Sequence, residues 1–130
     1  MGAGLLIISH DGIGAALLGT ATFMLGSCPL PTRLLTASRD CSPEELVADA
    51  LEEVRALDTG NGVLILTDLY GSTPSNIARL LSDKINVRSV SGLNLSMLIR
   101  VLNYPDLDLT QLADKAISGG KDGIVLVKDD

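Results

Sequence analysis

His10 is the sole histidine of the chain, and Asp68 is the carboxylate best placed to meet it. A carboxylate that accepts a hydrogen bond from one imidazole nitrogen fixes the tautomer and leaves the other nitrogen a free lone pair. That arrangement suits a nucleophile or a general base. Two glycine turns flank the pair, Gly12-Ile13-Gly14 and Gly71-Ser72-Thr73-Pro74, each leading into a helical stretch. Backbone N–H groups and the positive end of a helix at such turns favour an anion. Ser72 and Thr73 add hydroxyl donors. No Lys follows either glycine turn, so neither is a Walker loop, and Leu17 stands where a dinucleotide fingerprint needs its third glycine. The chemistry indicated is therefore phosphate carried on the histidine rather than a bound nucleotide. Each residue also has a plainer role open to it. A lone histidine is often a packing or surface residue, Thr-Pro is a good helix cap, Asp11 suits a helix entry, and Tyr70 suits packing.

The elements that must position these residues follow from periodicity. Residues 4–9 form a continuous apolar run, as expected of a strand buried on both faces, and His10 follows it directly. Apolar spacing predicts a helix over 13–25, closed by Gly26. Residues 33–37 read as a short edge strand. Ser42-Pro43-Glu44-Glu45 is a helix start with an N-cap, a proline at the first position and an acid at the third. After the turn at 58–62, residues 63–66 are the clearest strand, and Asp68 stands two positions beyond. Thr73-Pro74 opens a helix to about residue 82, and 86–91 alternate as a fourth strand. Asn94 caps a helix through Leu102, and Asp108 caps a fifth that Gly119-Gly120 ends. Residues 123–127 read as a last strand.

Strands alternating with helices in this way predict an α/β fold, a mostly parallel open sheet of order 2-1-3-4 with helices on both faces. Ligands in such sheets bind beyond the carboxyl ends of the strands, where the strand order reverses. Here that point lies between the first and third strands, about 4.8 Å apart, so His10 and Asp68 can meet across it.

Composition narrows the classes. The chain has 130 residues, enough for one domain over 1–130, and 46% are hydrophobic, which excludes disorder. Phe23, Tyr70 and Tyr104 are its aromatics, so the core is aliphatic. Ten Lys and Arg against sixteen Asp and Glu give a net charge of −6, with no basic run to suit a nucleic acid. Cys28 and Cys41 with one histidine supply too few ligands for zinc, and no metal or cofactor is expected. The first residues lack a basic secretory n-region and the hydroxyl residue of a myristoylation signal. Residues 12–32 are free of charge, but their glycines, prolines and hydroxyls argue for a buried helix rather than a membrane span.

Three segments together resemble the mannose-type IIA components of the bacterial sugar phosphotransferase system. Ile8-Ser9-His10-Asp11-Gly12-Ile13-Gly14 resembles the phosphorylation-site segment. The stretch from Leu66 through Asp68, Gly71, Ser72, Thr73 and Pro74 to Asn76 resembles the second segment, and Ser91-Gly92-Leu93-Asn94 through Met97 the third. The resemblance implies that His10 takes a phosphoryl group on Nε2 from the phosphocarrier HPr and passes it to a IIB component. Asp68 would hold Nδ1. Gly12, Gly71, Ser72 and Thr73 would bind the phosphoryl group. It further implies a cytoplasmic homodimer whose last strand, antiparallel, is exchanged between subunits, here 123–127. Asp11, Ser72 and Ser75 depart from the family pattern, placing a second acid and two hydroxyls at the site. A stand-alone regulatory IIA, a receiver-like domain phosphorylated on Asp68, and the phosphotransfer subunit of a dihydroxyacetone kinase are the alternatives.

Overall fold

The computed structural model describes residues 2–38 and 40–128. The elements run β1 (Gly4–His10), α1 (Ile13–Leu25), β2 (Thr32–Ala37), α2 (Pro43–Leu57), β3 (Val63–Thr67), α3 (Thr73–Ser82), β4 (Val87–Ser91), α4 (Leu95–Leu102) and α5 (Leu109–Asp122). The four strands form one sheet in the order β2-β1-β3-β4, and every neighbouring pair is parallel. The expected order thus holds.

Strand side chains alternate between faces, and the two central strands are buried on both, which explains their unbroken apolar runs. Leu5 and Ile7 of β1 and Leu64 and Leu66 of β3 pack under α1, α4 and α5, against Leu98, Leu102 and Leu112. Leu6, Ile8, Val63 and Ile65 face the other way, onto α2 and α3, against Leu46, Val54, Ile77 and Leu81. By the same parity His10 shares the side of Leu6 and Ile8, whereas Ser9 shares that of Leu5 and Ile7.

Helix starts follow the side-chain capping chemistry. Ser42 accepts the Glu45 N–H, Asn94 accepts the Met97 N–H, and Asp108 and Gln111 close a reciprocal capping box. Two helices lack such a bond: α1, whose N-cap Gly12 has no side chain to offer, and α3, whose N-cap Ser72 makes no side-chain bond to its first turn.

One expectation at the C-terminal end is corrected. Gly119 and Gly120 do not end α5, which continues to Asp122. Both are buried where α5 crosses α4, and a Cβ on Gly119 would stand 2.4 Å from the Arg100 Cβ. These glycines permit close helix packing instead of stopping the helix. Among the described residues, 123–127 pair with no strand of the same chain. Ile124, Val125, Leu126 and Val127 are exposed there.

Candidate functional site

The parallel register sets the site. Ile8 lies opposite Thr67, so β1 ends two residues later at His10 and β3 is followed at once by Asp68. Asp68 Oδ2 accepts two hydrogen bonds from one residue, the His10 backbone N–H at 3.0 Å and Nδ1 at 2.8 Å. An ionised carboxylate only accepts, so Nδ1 carries a proton, and in the neutral form of the ring Nε2 bears the lone pair. Nε2 has no partner among the described residues.

The two members differ in exposure. The His10 side chain is 47% exposed and that of Asp68 only 7%. Burial alone would push the Asp68 carboxyl up. The His10 backbone N–H, the ring N–H and the imidazole charge together outweigh it and hold the carboxyl below the usual carboxylate range. The other oxygen, Oδ1, is buried without a hydrogen-bond partner among the described residues.

Gly12 and Gly71 stand at the two turns, each at φ 83°, a left-handed conformation that glycine adopts without strain. A Cβ would meet nothing within 4 Å at either, so backbone conformation rather than space requires glycine there. Neither the Gly12 nor the Ile13 N–H has a partner among the described residues, which leaves the start of α1 open to an anion.

A cleft of about 470 Å³ opens at His10, lined also by Asp11, Ala37, Ser38, Cys41, Pro43 and Thr73. It lies on the α2–α3 side of the sheet, the side His10 shares with Ile8. His10 and Thr73 line this cleft together, and Asp68 is joined to it through its bond to His10. Gly12 is not among its lining residues, and the Thr73 hydroxyl has no partner among the described residues. Ser72 is placed differently. Its hydroxyl donates to the Leu69 carbonyl and shapes the turn. Gly71 opens onto a neighbouring groove lined by Tyr70, Ser75, Asn76 and Arg79. Sequence reasoning does not single out Ser9, Ser38 or Cys41 as site residues. The usable signal for Ser9 and Ser38 is their place at the carboxyl ends of β1 and β2, where parallel sheets assemble their sites.

A buried hydroxyl chain braces the Asp68 side. Thr67 Oγ1 and Ser91 Oγ lie 2.8 Å apart, and Ser91 Oγ donates to Ser75 Oγ at 3.3 Å, joining the ends of β3 and β4 to the first turn of α3. Among the described residues, no three His, Cys, Asp or Glu side chains converge to hold a metal ion. The arrangement can present an imidazole with a free Nε2 beside two helix N-termini, a geometry suited to a nucleophile and an anion.

The family model for the phosphotransferase-system fructose IIA component matches residues 4–116. The chain belongs to this IIA family. It is 30% identical over 131 aligned positions to the mannose-specific EIIAB component of Escherichia coli K12, covering 95% of this chain. The chain spans 39% of that relative's length. A second relative, the transcriptional regulatory protein LevR of Bacillus subtilis, is 28% identical over 111 positions, covering 82% of this chain and 12% of LevR. Among solved structures, the phosphotransferase component EIIA of Streptococcus agalactiae superposes with a TM-score of 0.83 at 26% identity, over 96% of both chains. The mannose/sorbose IIA subunit of Enterococcus faecalis shares the fold, with a TM-score of 0.88 at 23% identity over 100% of this chain and 98% of that one.

Proposed function

We propose that this IIA chain is a phosphoryl carrier in which His10 Nε2 accepts a phosphoryl group from a phosphohistidine on the carrier HPr and passes it to a IIB component. The observation that carries the proposal is the double hydrogen bond from His10 to Asp68 Oδ2. It keeps the proton on Nδ1 and presents Nε2 to the half-open cleft. In the transfer, the Nε2 lone pair forms the new N–P bond as the donor's N–P bond breaks. The donor imidazole leaves with the electron pair. Positive charge grows on the His10 ring, which keeps its Nδ1 proton, and the Asp68 carboxylate opposes that charge at 2.8 Å. The phosphoryl oxygens lie toward the free N–H groups at the start of α1 and the Thr73 hydroxyl. Gly71 and Ser72 support this by holding the turn that carries Thr73. The second transfer reverses the first, with the IIB nucleophile attacking phosphorus and the His10 imidazole leaving neutral. The mannose-specific relative is an EIIAB protein, which favours a B component as the acceptor.

Ile13, Leu69 and Tyr70, close in sequence to His10 and Asp68, are exposed apolar residues that a partner could use. Among the described residues no strand pairs with the outer edge of β4, and the apolar residues 124–127 are exposed. Both features support a homodimer in which that segment pairs with a partner's sheet edge. Membership of the IIA family supports a cytoplasmic carrier, and no helix among the described residues is long and apolar enough to cross a membrane.

A regulatory role is the second reading, favoured by the similarity to LevR. There, phosphorylation of His10 would control a partner instead of feeding a transporter. Incubation with phosphoenolpyruvate, the first enzyme of the system and HPr tests the carrier reading by intact mass. One phosphoryl group is expected on the chain and none on His10→Ala. The label should be acid-labile and resist hydroxylamine, and a hydroxylamine-sensitive label that survives His10→Ala would move the site to Asp68. Transfer onward to a IIB protein separates the carrier from the regulator.

A further inference from the structure

We infer that Ser9 is a positioning residue for the phosphorylated site, and that it aims the Asp11 backbone N–H at the phosphoryl group. The inference rests on the carrier reading of His10. Ser9 is 3% exposed, and by strand parity its side chain projects to the α1 side of the sheet, opposite the His10 cleft. Its hydroxyl makes two hydrogen bonds there. It accepts the Gly14 N–H at 2.9 Å and donates to the His10 carbonyl at 2.9 Å.

The first bond supplies what the glycine N-cap of α1 lacks. Gly12 has no side chain to satisfy the first-turn N–H groups, and Ser9 reaches across the turn to satisfy the buried one, on Gly14. Gly14 permits the approach, since a Cβ there would stand 2.9 Å from both Ser9 Oγ and Ile7 Cγ2. Gly12 and Ile13 keep their N–H groups free.

The second bond fixes a peptide plane. Across a trans peptide the carbonyl and the following N–H point in opposite directions, and no cis peptide occurs among the described residues. With the His10 carbonyl held to Ser9 on the α1 side, the Asp11 N–H is turned away from Ser9. It has no partner among the described residues. The His10 backbone is therefore held at both ends, its N–H by Asp68 and its carbonyl by Ser9. A donor fixed before the reaction lowers the barrier because no reorganisation is needed when charge arrives.

Ser9→Ala and Ser9→Thr in the whole chain test this, with phosphorylated HPr as donor. Rapid-quench intact mass gives the rate, and ¹⁵N spectra give the His10 tautomer and the Asp11 amide. Ser9→Ala is expected to slow phosphorylation roughly ten- to hundredfold, the scale of a misaligned charge-stabilising donor. The Nδ1–H tautomer should survive, because Asp68 holds it. Ser9→Thr, which keeps the hydroxyl, should restore the rate. In the unaltered chain the Asp11 amide proton should move downfield on phosphorylation, and in Ser9→Ala it should not. A wild-type rate in Ser9→Ala, or no rescue by threonine, overturns the role of Ser9 and leaves the carrier reading standing. An unmoved Asp11 amide in phosphorylated wild type does the same, even if Ser9→Ala fails to fold. A wild-type chain that takes no phosphoryl group on His10 overturns both.

Discussion

Asp68→Asn isolates the charge at the centre of the site while keeping its size. Both hydrogen bonds from His10 converge on Oδ2, so the orientation of the new amide decides the outcome. With the amide oxygen in place of Oδ2, both bonds survive but lose their charge. A charge-assisted hydrogen bond contributes about 1.5–3 kcal/mol and a neutral one about 0.5–1.5 kcal/mol, so each bond weakens by roughly 1 kcal/mol or more. The ring bond strengthens as positive charge grows on the imidazole, so its loss falls on the barrier. At about 1.4 kcal/mol per factor of ten, the rate should drop roughly five- to tenfold from the ring bond, and further if the backbone bond shifts the ring. The amide nitrogen would then occupy the buried Oδ1 position, which has no partner among the described residues, and the cost there is stability, about 1–3 kcal/mol. With the amide reversed, the N–H₂ faces the Nδ1 position. The imidazole then moves its proton to Nε2 and loses the nucleophile, and the drop is steeper. Single-turnover quench from phosphorylated HPr measures the rate, ¹⁵N shifts of His10 report which tautomer is present, and circular dichroism checks the fold. A folded Asp68→Asn chain phosphorylated at the wild-type rate would refute the role given to the carboxylate.

Three further outcomes are expected. Because folding lowers the Asp68 pKa, the carboxylate stabilises the fold above the usual carboxylate range, and that contribution is lost as pH falls through the depressed folded value. Urea unfolding should therefore show the stability gap between wild type and Asp68→Asn shrinking in acid, and a gap that does not change with pH contradicts the pairing. Gly12→Ala forces a side chain into φ 83° and should cost about 1–2 kcal/mol while slowing phosphorylation; an unchanged melting temperature would show that the turn relaxes freely. Gly119→Ala overpacks the α4–α5 crossing and should cost about 1–3 kcal/mol in urea unfolding, although it is a better helix former; a stabilised variant would restore a helix end at that glycine pair.

The sheet order and the His10–Asp68 pair were legible because one pattern encodes both. The apolar runs at 4–9 and 63–66 can only be strands buried on two faces, and the residues just beyond them must lie at the carboxyl edge of a parallel sheet. Helix starts were legible for a local reason, since Ser42, Asn94 and Asp108 each bond their own first turn. The C-terminal end was not, because Gly119 and Gly120 answer to the α4 side chains they cross, a tertiary contact that local punctuation does not encode. Residues 123–127 have strand composition, but a strand also needs an edge to pair with, and within one chain none is paired to them. Ser72 misleads in a similar way. A hydroxyl at a glycine turn serves a ligand or the turn itself, and its bond to the Leu69 carbonyl gives it to the turn.

The same alternation that builds the core also divides the labour at the site. Moving along β1, Leu6, Ile8 and His10 point toward α2 and α3, and Leu5, Ile7 and Ser9 point toward α1. His10 therefore emerges into the cleft lined by Pro43 and Thr73, while the neighbouring Ser9 hydroxyl is bonded to the helix on the opposite face. A slip of one residue between β1 and β3 would exchange those faces and part His10 from Asp68 together. Burial of the aliphatic layers on both faces opposes that slip, because every side chain of the strand that moves would change sides. The precision of a 2.8 Å contact on a half-exposed histidine is thus secured by residues that never touch it. For that reason, substitutions such as Leu6→Ala or Ile65→Ala should lower stability by about 2–5 kcal/mol yet leave the phosphorylation rate of the folded fraction close to wild type, as cavities alter packing without altering register. Unfolding curves paired with single-turnover rates make the comparison. A rate that falls in step with stability would mean that the core tunes the contact itself rather than the register that delivers it.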